Sequence, residues 1–154
     1  MLSGSILIVD DEASLLDFLS VLCTGEGLSV TTARSVREAR EQLAERTPDL
    51  VLCDMMMPDG NGLDLLKEIK GGESRTSVIM MTAYTSTKNA IDAMKLGAYD
   101  YVPKPFDIDE LKAVLRRALE KNRLYEENTY LRRELEQRYA FKNIIGRSQR
   151  MQAI

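Results

Sequence analysis

Histidine is absent from the 154 residues of this chain. Its absence removes the usual general base, the most common zinc ligand and any route through a phosphohistidine. Chemistry in this protein would therefore depend on carboxylates, hydroxyls and lysines. Cysteine is scarce as well. Cys23 and Cys53 both lie in apolar segments, where we expect small buried side chains rather than a disulfide or a metal site.

The sequence also lacks long apolar runs and strong charge of either sign. No run approaches the roughly 18 apolar residues of a membrane span, and the first residues do not have the basic and then apolar pattern of a signal peptide. Together with the reduced cysteines, this predicts a cytoplasmic protein with no membrane partner. The net charge of -3 gives no global attraction to nucleic acid. A hydrophobic content of 44% suffices for one core, so we expect one domain and an appendage.

Short apolar segments alternate with amphipathic helical patterns along residues 5 to about 120. Continuous apolarity is typical of parallel strands that are covered on both faces. The pattern predicts an α/β fold with a five-stranded parallel sheet, helices on both faces and right-handed crossovers. Ser35 with Glu38 predicts a capping box before the second helix, and Gly97 a C-terminal glycine after the fourth. The predicted strands are SILIV (5–9), LSVTTA (28–33), LVLC (50–53), SVIMM (77–81) and YDYV (99–102).

Polar residues follow four of these strands. Asp10 and Asp11 follow the first strand, and Asp54 follows the third; Thr82 and Lys104 follow the fourth and fifth. Carboxyl ends of parallel strands meet at one edge, where ligands bind. Three carboxylates there would repel one another by about 4 kcal/mol per pair at 4 Å, so we expect a cation. Oxygen ligands without histidine or cysteine favour Mg²⁺.

A magnesium ion beside an aspartate, a hydroxyl and an ammonium group is suited to phosphoryl transfer. We expect Asp54 to be the nucleophile, Lys104 to neutralise phosphoryl oxygens with the metal, and Thr82 to donate a hydrogen bond. Simpler interpretations exist for each residue alone. Asp10 and Asp11 could cap the first helix, while Thr82 and Lys104 could be ordinary strand-end and loop residues. Agreement between separate segments favours the shared site.

Four segments, LIVDDE, CDMMMPDGNG, MTAY and DYVPKPF, resemble the receiver domains of bacterial two-component response regulators. The resemblance covers roughly residues 4–121, and it implies a receiver domain over residues 1–121 that has a flavodoxin-like fold with strand order 2-1-3-4-5. It implies that Asp54 is the phosphoacceptor. Asp10, Asp11 and the backbone carbonyl of Met56 would complete the Mg²⁺ site with it. The phosphoryl donor would be a histidine of a partner, a sensor histidine kinase.

The same resemblance assigns further roles. Lys104 would bind the phosphoryl group, Thr82 and Tyr101 would be the switch pair that reorients on phosphorylation, and a cis peptide would precede Pro105. Met56 and Tyr84 would flank the site and tune the lifetime of the acyl phosphate. Because neither side chain is a base, we expect a long-lived phosphoryl state.

The fifth helix is expected to continue as a linker over residues 107–138, because residues 109–138 contain neither proline nor glycine. Four residues form a heptad seam with an asparagine at an a position, which favours a parallel homodimer. The alternative is a single solvated helix or a plain linker. The seam consists of Leu124, Asn128, Leu131 and Leu135.

Residues 139–154, YAFKNIIGRSQRMQAI, resemble the opening of the AAA+ ATPase domain in sigma-54-dependent activators of the NtrC type. The chain contains no GxxxxGK[ST] loop, so we expect no ATPase activity and no enzyme function beyond self-phosphorylation and autodephosphorylation. We expect a fragment, consisting of receiver and linker, of a longer activator. In that parent, the resemblance implies that sigma-54 RNA polymerase and DNA are partners, neither bound by this fragment.

The predicted function is a phosphorylation switch that changes dimerisation and controls the downstream activator. The main alternative is a pseudo-receiver that acts as a constitutive dimerisation module. An electron carrier of the flavodoxin type fits poorly, because Asp10 and Asp11 would repel the cofactor phosphate. An aspartyl phosphatase also fits poorly, because no second acidic residue lies two positions after Asp54.

Overall fold

A computed structural model of the chain describes residues 2–71, 75–83 and 87–152. Within these residues, five strands form one parallel sheet whose order, numbered along the chain, is 2-1-3-4-5, which confirms the predicted fold and strand order. Each predicted strand is correct to within one residue at either end. The sequence did not predict a short antiparallel hairpin between Met56–Met57 and Gly60–Asn61. The sheet strands are β1 (Ser5–Val9), β2 (Ser29–Ala33), β3 (Leu50–Asp54), β4 (Ser77–Thr82) and β5 (Asp100–Pro103).

The described residues also form five helices, as predicted. The last one continues beyond the predicted end near Arg138 as far as Gln152. Gly146 is the one helix-disfavouring glycine between residues 109 and 152, and that range contains no proline to stop the helix. In the described part of the chain, no helix has both the length and the apolarity needed to cross a bilayer. The helices are α1 (Ala13–Gly25), α2 (Val36–Glu45), α3 (Gly62–Gly71), α4 (Thr87–Lys95) and α5 (Ile108–Gln152).

The chain divides into two compact units. The first comprises Met1–Asn122 and contains the sheet, and the second comprises Arg123–Ile154. Within the first unit the sheet has an apolar core on each face, because alternate residues of a strand point to opposite sides. Ile8 and Leu52 pack with residues of α1 and α5. Val9 and Cys53 pack with residues of α2, α3 and α4. Both faces are thus covered, which explains the near-continuous apolarity of the central strands.

The buried stripe of α1 differs from the one that the sequence predicts, which is Leu15, Phe18, Leu19 and Leu22 at i, i+3, i+4 and i+7. Leu19 is buried as expected, but Leu16 and Cys23 complete the stripe, and Phe18 is 45% exposed. A periodic pattern indicates that a helix has an apolar face, whereas the packing of its neighbours decides which flanking residues are covered. Both cysteines are buried thiols without a disulfide, as predicted.

Two helix ends have the predicted stop and start residues. The Ser35 hydroxyl accepts a hydrogen bond from the Glu38 amide at 3.1 Å. The Glu38 carboxylate reaches back to the amide of Arg34 at 2.7 Å, one residue before the position that a standard capping box uses. After α4, Gly97 has a φ of 102° and its amide donates to the Met94 carbonyl at 3.2 Å. A residue with a Cβ would be strained in that conformation.

Candidate functional site

The carboxyl ends of the central strands bring the predicted polar residues to one edge of the sheet. Asp54 ends β3 and lies opposite Met81 of β4, while Thr82 ends β4 and lies opposite Pro103 of β5. Lys104 follows directly, and its amide donates to the Thr82 carbonyl at 2.7 Å. The strand register therefore places residues from three strands side by side.

Asp10, Asp11 and Asp54 form an acidic cluster at this edge. Each offers one carboxylate oxygen, and these oxygens lie within 4.8 Å of one another. Asp10 is fully buried and Asp54 is 8% exposed, whereas Asp11 is exposed. Two unit charges 4.8 Å apart repel by about 3 kcal/mol at an effective dielectric near 20. The cluster therefore requires positive charge.

Lys104 supplies part of that charge. Its Nζ lies 2.7 Å from Asp10 Oδ2 and 3.2 Å from Asp54 Oδ2. Its side chain is 17% exposed, so solvent screens these ion pairs only in part. One ammonium balances one of the three carboxylates. The remaining negative charge and the all-oxygen donors fit a small divalent cation such as Mg²⁺.

Burial and charge shift the acidities within the cluster. Burial raises the pKa of Asp54, and the negative charge of Asp10 raises it further, while nearby Lys104 opposes the shift. For Lys104, burial alone would lower the pKa. The hydrogen bond to Asp10 and the negative charges of both aspartates outweigh burial and raise that pKa. The lysine therefore remains an ammonium ion at neutral pH.

Asp10 does not act as the N-cap of the first helix. The N-cap of α1 is Glu12, and in the described structure no side chain caps it. Asp10 Oδ1 accepts a hydrogen bond from the Glu12 amide at 2.9 Å, ahead of the helix, while its other oxygen contacts Lys104. The geometry thus favours the shared site over the capping interpretation for Asp10.

The turn after Asp54 depends on Gly62, a residue whose role the sequence did not predict. The Gly62 amide donates to the Met55 carbonyl at 2.8 Å. A Cβ at Gly62 would lie 2.1 Å from the backbone oxygen of Asp54, well inside contact distance. Glycine therefore allows α3 to begin against the end of β3. The segment GNG at 60–62 indicates a turn that contains glycine, but only the packing shows that Gly62 is the one that cannot carry a Cβ.

Asp59 ties the same turn to α2, a contact that the sequence did not predict. Its two carboxylate oxygens accept hydrogen bonds from the amides of Val36 at 3.0 Å and Arg37 at 3.1 Å. These two backbone hydrogen bonds lower the pKa of Asp59. An anion at a helix N-terminus is favourable because unpaired amides and the helix dipole point toward it. Asp59 and Val36 are 23 residues apart in the sequence, so patterns of local helix capping do not predict this contact.

The proposed switch and flanking residues lie at different depths. Thr82 is 4% exposed at the end of β4, whereas Tyr101 is 40% exposed on β5, opposite Met80. The structure thus leaves the Tyr101 ring partly in solvent. Met56 is 67% exposed, and its amide lies 3.5 Å from Asp54 Oδ1. Tyr84 lies outside the described residues. The peptide between Lys104 and Pro105 is cis, as predicted.

Comparison with known proteins supports the same family. Residues 6–116 match the family described as the response regulator receiver domain. The regulatory protein AtoC of Escherichia coli K12 is 39% identical over 149 residues, which are 97% of this chain and 32% of AtoC. The DNA-binding transcriptional regulator NtrC of the same strain is 44% identical over 119 residues, covering 77% of this chain and 25% of NtrC. The chain thus spans a quarter to a third of the length of these curated relatives.

A solved structure gives the same result. The beryllofluoride-activated NtrC4 receiver domain dimer has a TM-score of 0.73 and 33% sequence identity, and the similarity covers 77% of this chain and 98% of that one. The region that matches the family, residues 6–116, contains all of the sheet except Ser5 and includes the acidic edge. The chain therefore belongs to the family of response regulator receiver domains, of the type found in NtrC-type transcription regulators.

Proposed function

We propose that Asp54 accepts a phosphoryl group in a reaction that requires Mg²⁺. The observation that carries this proposal is the arrangement of Asp10, Asp11 and Asp54, whose carboxylate oxygens lie within 4.8 Å of one another beside the Lys104 ammonium. Such a group of charges is costly unless a cation joins it, and a bound cation together with the Lys104 ammonium can then attract an anionic substrate. A phosphoryl group together with a divalent ion meets both requirements.

The metal would be held by Asp10, Asp11, Asp54 and the backbone carbonyl of Met56. When bound, Mg²⁺ would neutralise the carboxylates and the oxygens of the incoming phosphoryl group. Family membership supports a phosphohistidine of a sensor histidine kinase as the donor. An Asp54 oxygen attacks the phosphorus, the bond between phosphorus and the imidazole nitrogen breaks, and the imidazole leaves with its electron pair. The product is an acyl phosphate on Asp54.

Lys104 and Thr82 would recognise the new group. The Lys104 ammonium, already within 3.2 Å of Asp54, would pair with a phosphoryl oxygen that forms there. The Thr82 hydroxyl would donate a hydrogen bond to another. Tyr101 would then move from its partly exposed position toward the sheet edge, changing the surface formed by α4, β5 and α5. The roles of these residues rest on the geometry and on the family resemblance together.

The test is phosphorylation of the 154-residue chain by acetyl phosphate and Mg²⁺, followed by intact mass measurement. We expect one phosphoryl mass, which disappears in Asp54→Asn and when EDTA replaces the metal. Asp64→Asn is the matched control, because Asp64 is an exposed aspartate outside the cluster, in the first turn of α3. Equal uptake by Asp54→Asn would disprove the acceptor. No uptake by the unaltered chain would leave the alternative, a constitutive dimerisation module.

We further propose that phosphorylation alters dimerisation through the linker of α5 and thereby controls a sigma-54-dependent transcription activator. Support comes from the NtrC-type relatives and from the exposed seam of Leu124, Asn128, Leu131 and Leu135. Sedimentation of the chain with and without beryllofluoride measures this output. We expect the dimer fraction to change between the two states. A monomer in both would remove the dimer switch and leave the acceptor chemistry standing.

A further inference from the structure

The short hairpin after Asp54 carries the Met56 carbonyl, which is the backbone ligand of the proposed metal site. The hairpin pairs Met56 with Asn61 and Met57 with Gly60. The Met56 side chain is 67% exposed, so it does not anchor its own backbone. A hairpin with two residues in each strand has little stability by itself. The position of the carbonyl therefore depends on what holds the hairpin.

Backbone hydrogen bonds hold the base of the hairpin. The Met55 amide donates to the Met81 carbonyl at 2.9 Å, which joins the base to β4. The Gly62 amide donates to the Met55 carbonyl at 2.8 Å, which closes the loop where α3 begins. Both bonds lie on the side of the sheet, away from the tip at residues 58–60. The tip therefore needs a support of its own.

Asp59 fastens the tip to the amino end of α2. Its Oδ1 accepts a hydrogen bond from the Val36 amide at 3.0 Å, and its Oδ2 accepts one from the Arg37 amide at 3.1 Å. Hydrogen bonds to a carboxylate are stronger than those between neutral groups. The backbone also lies close to the helix, because a Cβ at Gly60 would be 3.3 Å from Val36 Cγ2. The first turn of α2 is thus the support of the tip.

The contact with Asp59 is separate from the local cap of α2 and from the acidic cluster. The Glu38 amide donates to the Ser35 hydroxyl at 3.1 Å, so the helix keeps a cap of its own without Asp59. Asp59 is not among the three carboxylates that gather at the sheet edge. Its influence on a bound ion would therefore pass through the hairpin.

A magnesium ion is sensitive to the position of each ligand, because it demands near-ideal octahedral geometry. Residues that hold a metal ligand in place typically change metal affinity by roughly 10- to 100-fold when they are altered. We propose that Asp59 is a positioning residue that fixes the Met56 carbonyl for Mg²⁺ and thereby couples the amino end of α2 to the metal site. This inference rests on the metal site of the proposed function. It adds a residue outside the cluster that sets metal affinity, and a helix end that responds to the metal.

Calorimetric titration of the 154-residue chain with magnesium chloride tests the positioning role. Asp59→Ala should weaken Mg²⁺ binding about tenfold. Asp59→Asn loses the same charge but keeps an oxygen that accepts an amide hydrogen, so it should weaken binding less. Ser35→Ala is the matched control, because it removes a hydrogen bond at the same helix end that does not involve the hairpin. We expect this control to bind Mg²⁺ as the unaltered chain does.

Two results of this titration would overturn the inference. Equal weakening by Asp59→Asn and Asp59→Ala would show that only the charge of the side chain matters. Weakening by Ser35→Ala as large as that by Asp59→Ala would show that any loosening of α2 affects the metal, with no specific path through the hairpin.

Amide hydrogen exchange tests the coupling in the unaltered chain. Coupling between two sites is reciprocal, so Mg²⁺ should strengthen the Asp59 contact by the factor by which that contact strengthens Mg²⁺ binding. We expect saturating Mg²⁺ to slow exchange of the Val36 and Arg37 amides about tenfold. The Glu38 amide, which donates to Ser35, should be unaffected. The same change at all three amides, or no change at any, would overturn the coupling.

The Mg²⁺ dependence of phosphorylation separates positioning from chemistry. With acetyl phosphate, Asp59→Ala should need about ten times more Mg²⁺ to reach half its maximal rate. Its rate at saturating Mg²⁺ should equal that of the unaltered chain, because Asp54 and Lys104 are still present. A lower maximal rate with an unshifted midpoint would overturn the positioning role.

Failure of this inference can be distinguished from failure of the proposed function. If the unaltered chain and Asp59→Ala bind Mg²⁺ equally well, this inference alone is overturned and the metal site stands. If the unaltered chain binds no Mg²⁺, the proposed metal site is overturned, and the role of Asp59 with it.

Discussion

Lys104 holds two carboxylates that would otherwise repel each other. Its ammonium lies 2.7 Å from Asp10 and 3.2 Å from Asp54, and Asp10 has no solvent exposure. A buried ion pair contributes little net stability compared with apolar packing, but removing one partner leaves an unbalanced buried charge. The lysine is therefore a structural requirement of the metal-free site as well as a candidate ligand for the phosphoryl group.

We predict that Lys104→Ala lowers the free energy of unfolding by about 3 kcal/mol in EDTA. The loss should shrink when Mg²⁺ is added, because the ion replaces part of the missing positive charge. Urea unfolding of the 154-residue chain measures both values. Lys112→Ala is the control. Its ion pair with Glu26 has side chains 32% and 21% exposed, so its loss should not exceed about 1 kcal/mol. Equal losses for the two variants would contradict the prediction.

Cys23 gives a prediction for alkaline pH. Burial, and secondarily the negative charge of Glu26, raise the pKa of its thiol to about 11. An unfolded thiol has a pKa of about 8.5. The folded state holds the proton more tightly, so its stability is full below about pH 8.5 and falls as pH rises toward 11. The fall attributable to this thiol is about 2 kcal/mol at pH 10.

Urea titrations at pH 8 and pH 10 measure this effect. We expect Cys23→Ala to lose less stability between the two values than the unaltered chain does. The difference between the free energies of unfolding at the two pH values is taken within each protein. The packing lost with the smaller alanine side chain therefore cancels. An unchanged decline in Cys23→Ala would show that other groups cause it.

At the scale of single elements, the start of α3 depends on close contact with the end of β3. A Cβ at Gly62 would lie 2.1 Å from the Asp54 backbone oxygen, whereas one at Gly71, at the other end of α3, would meet nothing within 4 Å. We predict that Gly62→Ala lowers the free energy of unfolding by about 3 kcal/mol. Gly71→Ala should leave it unchanged or slightly raised. Thermal or urea unfolding decides, and similar stabilities for the two variants would refute the contact.

The amino-terminal part of α5 is fastened to the sheet by Asn122. Ser77 donates its hydroxyl hydrogen to Asn122 Oδ1 at 2.8 Å, and Asn122 Nδ2 donates to the Asp49 carbonyl at 2.8 Å. Ser77 is only 3% exposed. If the Asn122 side chain were removed, water could not easily replace it as the hydrogen-bond partner of the Ser77 hydroxyl.

We predict that Asn122→Ala lowers the free energy of unfolding by about 2 kcal/mol. Asn122→Asp keeps the acceptor and loses the donor, so its loss should reflect only the Asp49 contact and the added charge. Gln137→Ala, at an exposed position of the same helix, should change stability by less than about 0.5 kcal/mol. Unfolding in urea gives all three values. An unchanged free energy of unfolding in Asn122→Ala would mean that these hydrogen bonds do not hold the helix.

Some features of the helices and strands could be predicted from the sequence, and others could not. Strand positions were predictable because strands buried on both faces are apolar runs that end at polar residues. The Ser35 cap and Gly97 stop were predictable because their partners are local. The pairing of Asn122 with Ser77 was not, since 45 residues separate the partners. The lack of room for a Cβ at Gly62 and the exposure of Phe18 follow from tertiary packing, which a local sequence pattern does not reveal.

At the scale of the whole molecule, the acidic site follows from topology. Parallel strands send their carboxyl ends to one edge, so residues as distant as Asp10 and Lys104 meet there. That convergence could be inferred from the sequence once the strands were recognised. The distances and the depth of burial could not. They determine that Asp10 is fully enclosed, Asp54 slightly open and Asp11 exposed.

The most direct measurement is the location of the phosphoryl group in the phosphorylated chain. After treatment with acetyl phosphate and Mg²⁺, borohydride reduces an acyl phosphate to homoserine, which peptide mass spectrometry assigns to one position. We predict homoserine at position 54 alone, lost when EDTA replaces the metal. Reduction at position 10 or 11, or at no aspartate under conditions that phosphorylate a known receiver domain, would contradict the assignment of Asp54 as the acceptor.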